Sequence, residues 1–243
     1  MIVIPMAGLS SRFFKAGYNK PKYMLEAHGQ TLFDHAVKSF ESYFETEKFL
    51  FIVRDVQGTL EFVKSRIMAL GIINYHICAL EDETRGQAET VAVGLKYIDY
   101  DGSLTIFNID TFRPKFSYPN LKDLGDGYLE VFKGEGDNWS FVELEHENSN
   151  AVIRTTEKEP ISNLCCTGLY HFKSCKDFIA AYNYYCSRPV NDWDKGELYV
   201  APLYNYLISK NKNIMCNVIN RDDVIFCGIP DEYIEFIGLD NVK

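Results

Sequence analysis

The run Ala7-Gly8-Leu9-Ser10-Ser11-Arg12, with Pro21-Lys22 shortly after it, has the residue types that hold phosphate. It directly follows Ile2 to Pro5, a short apolar run of the buried-strand kind, which is the setting a phosphate loop needs. Gly8 lets the main chain approach a polyphosphate, and successive amides of the loop can cradle its oxygens. Arg12 offers a fork of donors and Lys22 a compact point charge. No GK[ST] or GxGxxG follows, so this is neither a P-loop nor a dinucleotide fingerprint. Alone, the loop also fits a plain Gly/Ser turn bearing two solvated basic residues. A second polar feature, Asp110, closes another apolar run, Leu104 to Ile109.

The elements that would position these residues alternate. Strand-like runs at Ile2–Pro5, Phe49–Val53, Tyr75–Ala79 and Leu104–Ile109 are interleaved with helical patterns at Thr31–Phe40, Thr59–Leu70 and Ala88–Tyr97. Apolar strands alternating with helices predict an α/β fold with a doubly wound, mainly parallel sheet. Such sheets bind ligands at the carboxyl ends of their strands, which would bring the N-terminal loop and Asp110 to one edge. The second half is richer in strand: Tyr128–Phe132, Ser140–Leu144, Ala151–Thr155 and Cys166–Phe172. Helices are expected at Lys176–Tyr185 and Leu198–Ser209, then a last strand pair at Ile214–Val218 and Val224–Cys227, and a helix from Asp231. With no repeat or linker, residues 1–243 read as a single domain with a mixed sheet.

Composition narrows the partners. The 243 residues are 47% hydrophobic and 24% charged, as in an ordinary globular protein. A net charge of -9 argues against nucleic acid or an anionic membrane as partner, yet a phosphorylated small molecule needs only a local cluster of donors. No apolar run is long enough to span a bilayer, and the N-terminus lacks the pattern of a secretion signal, so the expected location is cytoplasmic. The seven cysteines include no CxxC pair and read as reduced, buried thiols. The five histidines have no metal-ligand spacing.

Ala-Gly-x-Ser-Ser-Arg-Phe after an N-terminal strand, then Gly17-Tyr18 and Pro21-Lys22, resembles the signature of the sugar-nucleotide pyrophosphorylase superfamily. Its phosphocholine cytidylyltransferase-like and capsule-biosynthesis nucleotidyltransferases look most similar. The likeness continues, in order, through Gly86-Gln87-Ala88-Glu89-Thr90, Asn108-Ile109-Asp110, Glu157-Lys158, Thr167-Gly168-Leu169-Tyr170 and Tyr199 to Asn205. It implies a Rossmann-like nucleotidyltransferase fold. Residues 1–115 would mainly bind NTP, and the β-rich residues 116–243 a small phosphorylated acceptor. The activity implied is transfer of a nucleoside monophosphate from CTP, UTP or dTTP to a phosphorylated sugar, polyol or similar acceptor, releasing pyrophosphate for capsular or other cell-surface polysaccharide. A homo-oligomer is compatible with all of this.

Carried over position by position, the resemblance assigns Ala7, Gly8, Leu9, Ser10 and Ser11 to the nucleotide, and Gly86 and Gln87 to its base. It puts Arg12 on the β- and γ-phosphates, Lys22 near the α-phosphate, and Mg²⁺ on Asp110. Glu157 and Lys158 would hold the acceptor, with Lys158 on its phosphate, Gly168 letting it lie against backbone, and Asn108, Glu197 and Tyr199 completing the substrate set. These roles suit the chemistry. Both attacking and leaving groups are anionic, so positioning and charge neutralisation matter most, and an ionised acceptor phosphate needs no general base. Two positions depart from the pattern. Ser10 stands where Gly is common, and Phe226-Cys227-Gly228-Ile229-Pro230 has Phe226 where many relatives have a metal-binding Asp. Either one carboxylate suffices, or Asp222, Asp223 or Glu197 substitutes. A nucleotide-sugar glycosyltransferase would carry Asp-x-Asp where this chain has Asp110-Thr111-Phe112. A non-catalytic nucleotide-sensing subunit would account for the missing carboxylate.

Overall fold

The computed structural model describes residues 1–239. In chain order its first half runs β1 (Ile2–Met6), α1 (Ser11–Lys15), β2 (Glu26–Ala27), β3 (Gln30–Thr31), α2 (Leu32–Val37), β4 (Phe49–Arg54), α3 (Thr59–Leu70) and β5 (Tyr75–Leu80). Next come α4 (Gln87–Leu95), β6 (Leu104–Phe107), β7 (Thr111–Phe112), β8 (Gly127–Lys133), β9 (Ser140–Leu144), β10 (Val152–Glu157) and β11 (Leu164–Phe172). The chain ends with α5 (Cys175–Cys186), α6 (Leu203–Ser209), β12 (Ile214–Ile219), β13 (Ile225–Phe226) and α7 (Pro230–Gly238). The structure has two compact units. One holds Met1–Val3, Thr84–Phe107 and Tyr118–Arg221; the other holds Ile4–Glu83, Asn108–Ser117 and the segment from Asp222.

In the second of these units the strands lie in the order β1-β4-β5, and β4 and β5 are parallel. Phe49 to Val53 are fully buried, as a strand covered on both faces demands, and each large side chain contributes roughly 1.5–3 kcal/mol by leaving water. A capping box starts α2: Thr31 Oγ1 accepts from the Asp34 amide at 3.2 Å, and Asp34 accepts from the Thr31 amide at 3.1 Å. The buried Asp34 carboxylate is also gripped by both arms of Arg66, each at 2.9 Å, which ties α2 to α3. Helix α3 stops at Gly71, whose φ of 74° is the left-handed conformation that ends helices without a Cβ penalty.

The other unit is organised around β11, all nine of whose residues are buried. It pairs antiparallel with β6, β8 and β9, while β12 runs parallel to β8 and the first residues of β1 run parallel to β6. The expected mixed α/β sheet is present.

Several expected boundaries moved. The loop after β1 contains the short helix α1, which has no side-chain cap to announce it. The expected helix Thr31–Phe40 is α-helical only to Val37; a 3-10 segment follows, with Phe40 out of helical geometry. The expected strand Leu104–Ile109 ends at Phe107, so Asp110 sits in the turn between β6 and β7. The expected helix Leu198–Ser209 begins only at Leu203, because Pro202 caps it. The last two strands do not pair with each other: β12 joins β8, and β13 pairs antiparallel with β7.

Candidate active site

Past the fully buried β1, the chain surfaces at once, with Gly8 and Leu9 exposed and Ala7 and Ser10 half-buried. A Cβ built on Gly8 would meet no protein atom within 4 Å. The chain's own packing therefore does not call for glycine there, and the space beside the backbone is open to a ligand. Ser10 has φ 52° and ψ 31°, a left-handed residue that turns the chain into α1. Its carbonyl accepts from the amides of Phe13 and Phe14, and its hydroxyl accepts from the Lys22 amide at 3.1 Å. Ser10 thus works through its side chain as well as its main chain, which the sequence did not predict. Arg12 lies exposed on α1, anchored by the fully buried Phe13.

The Lys22 ammonium reaches the Oδ2 atom of Asp110 at 2.5 Å. The expected convergence of the N-terminal loop and Asp110 is present, in one unit and at bonding distance. Asp110 is fixed from the other side by its carbonyl, which accepts from the Cys227 amide at 2.8 Å. The side chains of Lys22 and Asp110 are 19% and 25% exposed, so the pair is accessible without being freely solvated. Asn108 precedes this turn, and its carbonyl accepts from the Thr111 amide at 3.3 Å.

Phe226 lies in β13, opposite Thr111. A carboxylate absent from the sequence reading stands near instead. Glu232, in the first turn of α7, accepts from the amides of Gly228 at 2.7 Å and Ile229 at 3.2 Å. A Cβ on Gly228 would lie 3.2 Å from Asp110 Oδ2 and 3.5 Å from Glu232 Oε2. The signal was available: Pro230 at the helix start with a glutamate two positions on is an N-terminal cap pattern. Asp222 and Asp223, the substitutes considered earlier, are exposed.

In the other unit, Gly86 precedes α4 with φ 144°. Its neighbours form a two-sided clasp with Leu198, whose amide donates to the Arg85 carbonyl at 2.9 Å and whose carbonyl accepts from Ala88 at 2.8 Å. Gln87 opens the helix, half-buried.

Glu157 and Lys158 end β10 and the bend after it. Lys158 has φ 53°, a left-handed conformation, and its amide donates to the Trp139 carbonyl at 2.8 Å. Its ammonium donates to the Tyr199 hydroxyl at 2.7 Å and stands 4.0 Å from Glu157. Burial lowers the Lys158 pKa, but the Tyr199 hydrogen bond and the charges of Glu157 and Glu197 outweigh it, so the net shift is upward and the charge is secured. Glu157 is buried and accepts from the Ser140 hydroxyl. Burial, with Asp194 and Glu197 nearby, raises its pKa despite that bond. Ser140 was not predicted; a residue that matters by facing Glu157 across a strand pair leaves no local motif. Lys158, Glu157, Tyr199 and Glu197 are thus brought together. Gly168, with φ 95°, sits where the β11–β8 register shifts, a backbone shape that favours glycine. Trp193 is buried and its indole donates to the Tyr185 carbonyl at 2.9 Å, so it is a packing anchor.

No three His, Cys, Asp or Glu side chains among the described residues form a metal-holding group, and all seven cysteines are free. No helix among them is long and apolar enough to cross a membrane.

Solved structures share this fold. UDP-glucose pyrophosphorylase complexed with UDP-glucose superposes with a TM-score of 0.76 at 16% identity, covering 97% of this chain and 96% of that one. The inositol-1-phosphate CTP transferase from T. maritima superposes at 0.71 with 14% identity over 99% and 98% of the two chains. At such identities the likeness shows the fold. A nucleoside-diphosphate-sugar pyrophosphorylase from Vibrio cholerae RC9 is far nearer: 59% identical, TM-score 0.95, covering 98% of this chain and 100% of that one. The chain belongs to the nucleoside-diphosphate-sugar pyrophosphorylase family and is an enzyme of the nucleotidyltransferase class. No protein-family profile and no curated protein matches it. Family membership leaves the regulatory-subunit and glycosyltransferase alternatives without support.

Proposed function

We propose that this enzyme transfers a pyrimidine nucleoside monophosphate from CTP, UTP or dTTP to a small phosphorylated sugar or polyol, with Mg²⁺, and that the product feeds capsular or other surface polysaccharide. The observation that carries the transferase chemistry is the Lys22–Asp110 pair, tied to the N-terminal loop by the Ser10 hydroxyl, which accepts from the Lys22 amide. Support for a pyrimidine comes from the family resemblance and from neighbours that are a UDP-glucose pyrophosphorylase and a CTP transferase.

In this reading an oxygen of the acceptor phosphate attacks the α-phosphorus of the NTP. The bond from that phosphorus to the bridging oxygen breaks, and pyrophosphate carries away the electron pair. Loop amides from Ala7 to Ser11 hold the nucleotide, Arg12 holds the phosphates that depart, and Lys22 neutralises charge at the reacting centre. Gly86 and Gln87 read the base. Lys158, held by Tyr199, binds the acceptor phosphate, while Glu157, Glu197 and Asn108 accept or donate to the rest of the substrates; Gly168 leaves room beside the backbone. No proton must be removed from the nucleophile, so the cations of the reading, Arg12, Lys22 and Lys158, would act by binding and neutralising phosphate charge.

Mg²⁺ suits the donor set. Asp110 presents a partly exposed hard carboxylate with Lys22 on only one of its oxygens, and one carboxylate plus phosphate oxygens and waters is an ordinary Mg²⁺ shell. When bound, the ion would neutralise charge on the triphosphate.

The test is phosphate release in the presence of pyrophosphatase, with each NTP against a panel of sugar and polyol phosphates. Release with a pyrimidine NTP and one acceptor class is expected. Release only with ATP or GTP would overturn the base assignment, and none with any pair would overturn the acceptor class.

A further inference from the structure

Glu232 closes the start of α7 through two amide hydrogen bonds, and a helix cap of this kind alone gives no more than local stability. Here the capped turn has a second face. The Cys227 amide, one residue before the capped Gly228, holds the Asp110 carbonyl at 2.8 Å. Gly228 itself lies so close to the Asp110 carboxylate that a methyl group on it would stand 3.2 Å from Oδ2. One short turn therefore ties the first turn of α7 to the aspartate, for that same methyl group would stand 3.5 Å from Glu232 Oε2. β13 brings this turn into place by pairing Phe226 with Thr111, the residue after Asp110.

We infer that Glu232 is a positioning residue for Asp110. Its carboxylate fixes the Cys227–Gly228–Ile229 turn, the turn fixes the Asp110 backbone and leaves its carboxylate room, and Asp110 thereby meets the metal–nucleotide in one orientation. The inference rests on the assignment of Asp110 to the metal.

The experiment compares wild type, Glu232→Ala, Glu232→Gln and Asp110→Asn by the paramagnetic signal of Mn²⁺ titrated with excess CTP, well below each protein's melting temperature. Glu232→Ala is expected to weaken Mn²⁺ binding about tenfold while remaining folded by circular dichroism. Glu232→Gln, whose amide oxygen can accept the same two bonds, should stay within about twofold of wild type. In the transfer reaction Glu232→Ala should lower kcat and raise the Mg²⁺ requirement, with the acceptor KM unchanged. A merely structural cap predicts a lowered melting temperature with unaltered Mn²⁺ binding, and that result overturns the inference. Should Glu232→Ala fail to fold, Gly228→Ala replaces it, because the added methyl presses on Asp110 and leaves the Glu232 bonds in place; unaltered Mn²⁺ binding there overturns the inference equally. If Asp110→Asn binds Mn²⁺ as wild type does, the metal assignment itself has failed. If Asp110→Asn loses binding and Glu232→Ala does not, only the role of Glu232 has failed.

Discussion

Lys22 and Asp110 are 88 positions apart in the chain and meet at 2.5 Å. Both are partly exposed, so the pair adds little to stability. On the function proposed above, each would hold the other where a polyphosphate needs them. Asp110→Asn should fold normally yet lose turnover by about two orders of magnitude or more, the usual cost of removing an oriented charge from such a transition state. Steady-state rates beside a thermal melt decide it, and near-normal turnover would remove Asp110 from the chemistry.

Arg12 and Lys22 should fail differently. Exposed on α1, Arg12 should when changed to Ala weaken both NTP binding and turnover, because pyrophosphate is bound and then leaves. Lys22→Ala should act mainly on kcat. Calorimetric titration of NTP, set against kcat for the two variants, separates these effects; wild-type values for both would reduce the loop to a turn.

Lys158→Ala should raise the acceptor KM and lower kcat, with NTP affinity in the absence of acceptor nearly unchanged. One charge-assisted bond to phosphate is worth roughly 1.5–3 kcal/mol, so kcat/KM should fall about tenfold to a hundredfold. Tyr199→Phe, which removes the hydroxyl that fixes this ammonium, should give a milder effect of the same kind. Weakened NTP binding with an unchanged acceptor KM would assign Lys158 to the other substrate.

His171 offers a pH test outside the chemistry. It is buried on β11, its Nδ1 atom 2.9 Å from the Thr105 hydroxyl, and burial, aided by the N-terminal ammonium, lowers its pKa to about 4. The unfolded chain, with an ordinary pKa near 6.5, takes up the proton first. The stabilisation is therefore complete above about pH 6.5 and is lost as pH falls towards 4, by about 3 kcal/mol. Urea midpoints of wild type and His171→Asn between pH 7 and pH 4.5 should converge as the pH falls. Parallel curves would mean that another group governs the acid limb.

The sequence was most legible where one local force decided the structure. Thr59–Leu70 and Ser140–Leu144 were read with the observed boundaries, because amphipathic period and apolar alternation are local. Helix α1 was missed since Ser10 turns into it by its backbone, without a side-chain cap, and Gly, Ser and Lys around it favour a loop reading. Residue types and chain order anticipated that Lys22 and Asp110 would meet, and that Lys158 would lie beside Glu157 and Tyr199. Ser140 escaped because it meets Glu157 only across β9 and β10, which the tertiary fold brings together. The Glu232 cap is a local pattern, but the nearness of its turn to Asp110 comes only with the fold.

If Gly86 and Gln87 read the base, as proposed above, the clasp at Gly86 bears on any attempt to retarget the enzyme to another base. A side chain there would begin 2.6 Å from the backbone of Leu198, on a φ of 144° that L-residues rarely adopt. Main chain cannot be trimmed as a rotamer can, so relief would mean parting the bonds that Arg85 and Ala88 make to Leu198. Position 86 is thus closed to libraries, and variation has to enter at Gln87, whose side chain can change while the strap on which it is mounted stays shut.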